Sequence, residues 1–174
     1  MELNKLLQKL DAVIAGADAS ILSDENIKGQ FSLWAAKGET DIIEKILKLP
    51  QENIVPYQAL VKGLKMAAYH GSTETVAKIL ELAIHKIKKH DISEASKAAA
   101  GELGDLHKDV VLKISELAVD KVDGRGISKI ITTLFRAGEN NEAFQILESY
   151  KDRVSKENHP DLSNAFGVVR DLET

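Results

Sequence analysis

Glycine recurs at nearly constant spacing along this chain. Gly38, Gly71, Gly104 and Gly138 follow one another at intervals of 33, 33 and 34 residues. An apolar frame recurs with them, and its matching positions are Ile43, Ile46, Leu47 and Leu49 after the first glycine, and Val76, Ile79, Leu80 and Leu82 after the second. Self-similarity of this period is typical of a stacked helical repeat, in which each unit buries its apolar face against its neighbours.

The spacing of apolar residues predicts an all-α chain, because no segment alternates apolar and polar residues for long enough to favour a strand. Ten helices are expected. One lies between the cap residues 23–26 and Gly38, and the other nine span 2–15, 40–49, 56–70, 73–90, 94–103, 107–120, 127–137, 139–153 and 160–174. Residues 91–93 and 123–126 are predicted to be loops. Residues 1–174 would form a single domain, with capping helices at 1–15 and 160–174 around about four helix pairs in 16–153, centred on the four glycines.

Composition narrows the classes of function. The 174 residues suit one domain and include no Cys, which excludes disulfides and thiolate zinc sites. A net charge of −4 argues against a nucleic-acid binder, because phosphate neutralisation needs a basic face. Charges interrupt the first twenty residues, and no later run is apolar enough to span a bilayer. We expect a monomer in a cytoplasm, its own or that of another cell into which it is delivered, with no cofactor and no membrane or nucleic-acid partner.

One unit carries a family resemblance. The segment Leu64-x-x-Ala67-Ala68-x-x-Gly71-x-x-x-x-Val76-x-x-Ile79-Leu80 resembles an ankyrin repeat, in which an apolar residue, two small ones, a glycine and a Val-x-x-Leu-Leu pattern follow in this order. The resemblance covers about residues 16–150 and implies a right-handed helical-hairpin solenoid that binds a protein on its concave face. The Thr-Pro-Leu-His opening of ankyrin helices is absent from every unit. Gly138-Glu139-x-x-Glu142-Ala143 is similar instead to a tetratricopeptide turn, so an array of that family, another α-solenoid and an α-bundle stay open as alternatives.

The ankyrin resemblance also implies a binding face, since in that family the two residues before the glycine lie on the concave side. Carried over to this chain, the implied partner-binding residues are Lys37, Tyr69, His70, Glu102, Leu103 and Arg136. Tyr and Arg are among the residue types enriched at interface anchors. The leading hypothesis is therefore a non-enzymatic protein–protein interaction module, with a protein of unknown identity as its partner.

His70, His90 and Asp91 support a different hypothesis, a small helical metal-dependent phosphohydrolase. Imidazoles and carboxylates suit divalent metals that activate water, and Asp105 or Asp109 would complete the ligand set. His85 is a further candidate ligand in the predicted helix 73–90. It is five residues from His90, however, so the two imidazoles would lie on different faces of that helix. Elemental analysis of the purified protein distinguishes the two hypotheses, because the hydrolase requires a stoichiometric metal.

Two further segments suggest anion binding. The basic stretch 85–90 would serve an RNA-binding array, but we interpret it as an exposed helix C-terminus, where cations complement the helix dipole. The backbone amides of Gly124-Arg125-Gly126 would cradle an anion, but a flexible turn between helices is the simpler interpretation of a single Gly-x-Gly.

Overall fold

The computed structural model describes residues 2–23, 25–50, 54–101, 105–118, 121–122 and 124–157. Nine α-helices lie within these ranges: α1 (Glu2–Ile14), α2 (Ile27–Lys37), α3 (Thr40–Leu47), α4 (Tyr57–Tyr69), α5 (Thr73–Ala83), α6 (Lys89–Ala99), α7 (Lys108–Leu117), α8 (Gly124–Arg136) and α9 (Asn140–Glu157). Short 3-10 turns occupy Ala19–Leu22 and Ile84–Lys86, and the described ranges contain no β-strand. The all-α prediction is confirmed for this part of the chain, and the tenth helix, predicted for 160–174, lies outside it.

The helices alternate between two sets of contacts. Helix α2 packs against α4, α4 against α6 and α6 against α8, and we call these four helices the front row. The back row consists of α1, α3, α5, α7 and α9, each of which also packs against the next. The rows are joined because each front-row helix contacts the back-row helix that follows it in sequence. The apolar core therefore lies between the two rows.

Corresponding helices bury corresponding positions. The buried residues of α5 are Thr75, Val76, Ile79, Leu80 and Ala83, and the buried residues around α7, each 35 positions later, are Val110, Val111, Ile114, Ser115 and Ala118. In the front row, the buried residues of α4 are Leu60, Gly63, Leu64, Ala67 and Ala68, and the residues 32 positions later, Ile92, Ala95, Ser96, Ala99 and Ala100, are buried too. Around α6, Ser93 is buried in addition. Of the eight residues of the apolar frame read from the sequence, six are buried, and Leu47 and Leu82 are half-buried.

Glycine allows the front-row helices to approach closely. A Cβ at Gly63 of α4 would lie 2.6 Å from the ring of Phe31 in α2, and Phe31 is itself fully buried. A Cβ at Gly126 of α8 would lie 3.1 Å from the side chain of Ser93 in α6. Both distances are shorter than ordinary carbon contacts of about 3.5–4.0 Å. These two glycines therefore serve helix packing.

The glycines at the turns serve the backbone instead. Gly71, which follows α4, has a φ of 72°, a left-handed conformation that costs other residues about 1–2 kcal/mol. After α6 the corresponding left-handed residue is Gly101, with a φ of 79°. Gly104, which the regular spacing identified as the centre of this unit, lies outside the described residues. The chain leaves α6 earlier than the period of 33 predicts.

The predicted helix 73–90 is wrong in its second half. Helix α5 ends at Ala83, and Ile87 and Lys88 are extended, with ψ angles of 134° and 154°. The chain here passes from the back row to the front row, which a continuous helix would prevent. Ile87 lies four residues after Ala83 and is buried, so the apolar spacing continues across the break without a glycine or proline to mark it. The predicted turn at 91–93 is accordingly wrong too, since these residues belong to α6.

The predicted loop at 123–126 is also wrong for the residues that the structure describes. Gly124–Gly126 form the first turn of α8, and Gly126 is buried. Its lack of a side chain is explained by the contact with Ser93, so a flexible turn and an anion-binding loop are both inconsistent with this helical segment.

We expect Ser115→Ala to stabilise the protein. The Ser115 hydroxyl is buried without a hydrogen-bond partner, at the position that corresponds to Leu80. Because an unpaired buried hydroxyl has lost its water, its removal should raise the free energy of unfolding by about 1 kcal/mol, measured by urea denaturation. Ser96→Ala is the matched control, since the buried Ser96 hydroxyl donates to the Ile92 carbonyl at 3.0 Å. A gain of equal size in the control would contradict the explanation.

Gly63→Ala should destabilise the protein, although alanine is preferred over glycine in a helix by about 1 kcal/mol. The added methyl group would overlap the Phe31 ring, so the helices α2 and α4 must separate, at a cost of about 1–3 kcal/mol. Thermal unfolding monitored by circular dichroism measures the effect. Lys62→Ala, at the exposed neighbouring position, should leave the melting temperature nearly unchanged. A more stable Gly63→Ala variant would show that the two helices are not packed this closely.

Candidate functional site

The C-terminal ends of the front-row helices lie along one edge of the fold. The turn after α2 reaches the turn after α4, because a Cβ at Gly38 would lie 3.3 Å from the Ser72 hydroxyl. Likewise, Gly71 lies against the ring of His107, in the connection after α6. We call this line of turns, at residues 37–39, 69–72, 100–101, 105–107 and 136–139, the turn edge.

The edge continues to the turn after α8 through an ion pair. The Lys108 ammonium donates to Glu139 at 3.2 Å and to Glu142 at 3.5 Å. The hydrogen bond to Glu139 is the main reason why the pKa of Lys108 is raised, with the charges of the two carboxylates adding to it. Lys108 therefore stays charged and ties the beginning of α7 to the beginning of α9.

Four of the six predicted binding residues lie on the turn edge. Lys37 and Arg136 are the last residues of α2 and α8, Tyr69 is the last residue of α4, and His70 follows it. All four side chains are exposed, Tyr69 to 37%. The rings of Tyr69 and His70 meet edge to face, with their centroids 5.1 Å apart. The other two predicted residues, Glu102 and Leu103, lie outside the described residues.

His107 is a residue of this edge that the sequence did not single out. Its Nε2 atom lies 2.9 Å from the Tyr69 carbonyl oxygen, and because a carbonyl only accepts hydrogen bonds, Nε2 carries the proton that is donated. The ring thus connects the turn after α6 to the backbone beneath the Tyr69 side chain. Its separation from Tyr69 by 38 residues breaks the regular period, which is why spacing did not reveal it.

The structure does not bring together the residues of the metal-site hypothesis. Tyr57, at the start of α4, donates a hydrogen bond to Asp91, at the start of α6, so these two helices begin side by side. His70 follows the far end of α4, and a helix of 13 residues is about 20 Å long. His90 and Asp91 are therefore separated from His70 by nearly the length of a helix. Among the residues that the structure describes, no three His, Asp or Glu side chains are grouped to hold a metal ion.

The basic stretch 85–90 also differs from its interpretation as a helix C-terminus. His85 and Lys86 lie in a 3-10 turn, whereas Lys89 and His90 belong to the first turn of α6. Cations at the N-terminus of a helix are repelled by the positive pole of its dipole. The carboxylate of Asp91, in the same turn, offsets this repulsion. The Lys88 ammonium lies 5.3 Å from the centre of the Tyr57 ring, which adds a second contact between the starts of α4 and α6.

No protein-family model, no curated protein and no solved structure matches this chain. Of the described helices, none is long and apolar enough to cross a membrane. What the protein does must therefore be inferred from the geometry and charge of its own residues.

The Tyr57–Asp91 contact gives a pH-dependent prediction. The hydrogen bond to the Asp91 carboxylate, aided by its negative charge, raises the pKa of Tyr57 above the ordinary value of 10.0. A raised pKa means that the stabilising contact is complete below pH 10.0 and is lost as the pH rises through the pKa of the folded state. We expect the 13Cζ signal of Tyr57 to titrate at higher pH in the wild type than in Asp91→Ala. Equal midpoints in the two proteins would show that the contact does not form in solution.

Proposed function

We propose that this protein is a non-enzymatic protein–protein interaction module, built as an ankyrin-like helical repeat array, that binds its partner along the turn edge. The observation on which the proposal depends is the alignment of four exposed side chains of different chemistry, Lys37, Tyr69, His70 and Arg136, at one end of the front row. A row of this kind offers a partner an aromatic anchor flanked by cations, a combination common at interface hot spots.

Contacts between units support the repeat array. The hydroxyls of Thr40 and Thr75 share a hydrogen bond of 2.8 Å, 35 residues apart in sequence. Tyr57 and Asp91 are joined 34 residues apart, as are Lys108 and Glu142. Bonds between partners about one period apart are what equivalent units stacked on their neighbours would make.

The connections favour an ankyrin-like unit over a tetratricopeptide-like one. In three of the four helix pairs, α2–α3, α4–α5 and α8–α9, two or three residues join the helices, whereas the connections between pairs have five to nine residues. The pair α6–α7 is the exception, with eight residues between its helices. The tight turns of the other three pairs match the ankyrin-like pattern inferred from Gly38 and Gly71. In this proposal the protein acts as a monomer in a cytoplasm, its own or that of a cell into which it is delivered.

Tyr69→Ala combined with His70→Ala tests the proposal. Both side chains are exposed, so the double variant should keep the helical content of the wild type in circular dichroism. It should lose most of its partner, because truncating an aromatic anchor commonly costs about 2 kcal/mol or more of binding free energy, a factor of roughly thirty in affinity. The measurement is capture from cell lysate on the immobilised protein, with the captured proteins quantified by mass spectrometry.

The matched control is Lys5→Ala combined with Glu74→Ala, which truncates two exposed side chains of the back row. This variant should capture the same proteins in the same amounts as the wild type. Unchanged capture by the Tyr69→Ala, His70→Ala variant would reject the turn edge as the binding site.

A further inference from the structure

The net charge of the chain conceals a separation of charge between the two rows. The four front-row helices contain nine Lys and Arg residues but only two carboxylates, Asp91 and Glu94. The five back-row helices contain nine Lys and Arg residues against twelve Asp and Glu residues. The overall charge of −4 is therefore a balance between a strongly basic row and an acidic remainder.

At least four of the nine front-row cations lie on its outer face, which points away from the back row. On α4, the buried residues occupy one side of the helix, and a turn of 100° per residue places Lys62, Lys65 and Tyr69 on the opposite side. On α6 and α8, the same rotation per residue places Lys97 and Lys129 opposite the buried side, on the outer face. Arg136, at the end of α8, joins this face to the turn edge.

Glu94 of α6 interacts with cations of two neighbouring helices. Glu94 is bonded to Lys97 at 2.8 Å, and its pKa is lowered first by that bond and then by the charges of Lys97, Lys65 and His90. Lys65 belongs to α4 and Lys97 to α6, so cations of neighbouring helices meet around one carboxylate. Lys65 and Lys97 thus act on one carboxylate, and their combined positive charge exceeds its negative charge.

Apolar side chains lie on the same face as these cations. Leu33 of α2 is 46% exposed, more than any other large apolar side chain among the described residues. Met66 occupies the matching position of α4, 33 residues later, and is half-buried. The outer face therefore offers apolar contacts over α2 and α4 next to positive charge over α4, α6 and α8.

We propose that the outer face of the front row binds an extended segment of a partner protein that is rich in Asp and Glu and carries apolar side chains among them. This inference depends on the proposed protein-binding function and names the chemistry of the partner. Packed helices are about 8–10 Å apart, so a strand crossing four of them spans roughly 25–30 Å, or about eight extended residues. Acidic side chains reach the lysines of α4, α6 and α8, and apolar ones reach Leu33 and Met66.

The apolar contacts favour a peptide over a single-stranded nucleic acid. Proteins that bind single strands offer aromatic rings on which successive bases stack. Among the described residues of the front-row helices, the exposed aromatic side chains are Tyr57 and Tyr69, which lie at opposite ends of α4 and so form no continuous row. The aliphatic Leu33 and Met66 match apolar side chains of a peptide better than they match bases.

Binding of synthetic twelve-residue peptides to the full chain, measured by fluorescence anisotropy, tests the inference. The probe is a labelled peptide of four Asp-Glu-Leu repeats, compared with four Asn-Gln-Leu repeats, four Asp-Glu-Ser repeats and a single-stranded RNA of twelve nucleotides. We expect the Asp-Glu-Leu peptide to bind more tightly than the other three and to weaken as salt screens the charges. Tighter binding of the RNA, equal binding of the neutral peptide or no binding of the acidic peptides would overturn the inference.

Charge reversal locates the surface. Lys62→Glu combined with Lys65→Glu should weaken binding of the Asp-Glu-Leu peptide by about tenfold or more, because like charges then oppose each other at the contact. Lys5→Glu combined with Lys113→Glu changes the net charge equally on the back row and should alter the affinity by less than about twofold, since screened charges act over a Debye length of about 10 Å. Equal losses in the two variants would refute the assignment to the front row.

The lysate capture experiment separates this inference from the proposed function. If Tyr69→Ala with His70→Ala abolishes capture while Lys62→Glu with Lys65→Glu leaves it unchanged, the binding module stands and the acidic partner is refuted. If neither variant changes capture, both are refuted. Loss of capture in both variants, with the Lys5→Glu, Lys113→Glu control unaffected, is the expected result.

Discussion

Glycine allows the front-row helices to pack closely against one another, and the arrangement of the turn edge and of the charged side chains follows from this packing. Gly63 meets the Phe31 ring, Gly126 meets Ser93, and neither glycine has room for a methyl group without displacement. This spacing fixes where the C-terminal ends of α2, α4 and α6 lie, and with them the turn edge. It also brings Lys65 of α4 close enough to act on Glu94 of α6. The positions of the exposed side chains on the turn edge therefore depend on glycines that are buried between helices.

The sequence predicted most of the helices because the signals for them were local. Gly38 and Gly71 mark turns in which a left-handed residue is required, and most residues of the apolar frame after them are buried. The break between α5 and α6 was missed because Ile87 continues the apolar spacing from Ala83 while the backbone around it is extended. Gly126 packs against α6 and does not turn the chain. The local sequence could not show this, because Ser93, the residue that Gly126 contacts, is far away in sequence.

The candidate surface was only partly visible in the sequence for a related reason. The ankyrin resemblance indicated Lys37, Tyr69, His70 and Arg136, and the structure places all four on one exposed edge. The separation of charge was hidden, because a net charge sums over both rows. Assigning charges to rows requires knowing which helices neighbour one another, and this information comes from the packing.

His107 joins the turn after α6 to the turn after α4 through a backbone atom, because its Nε2 atom donates to the Tyr69 carbonyl. Every residue type carries such a carbonyl, so the bond does not depend on which side chain stands at position 69. The exposed phenol ring can therefore be exchanged for another side chain while the two turns stay joined.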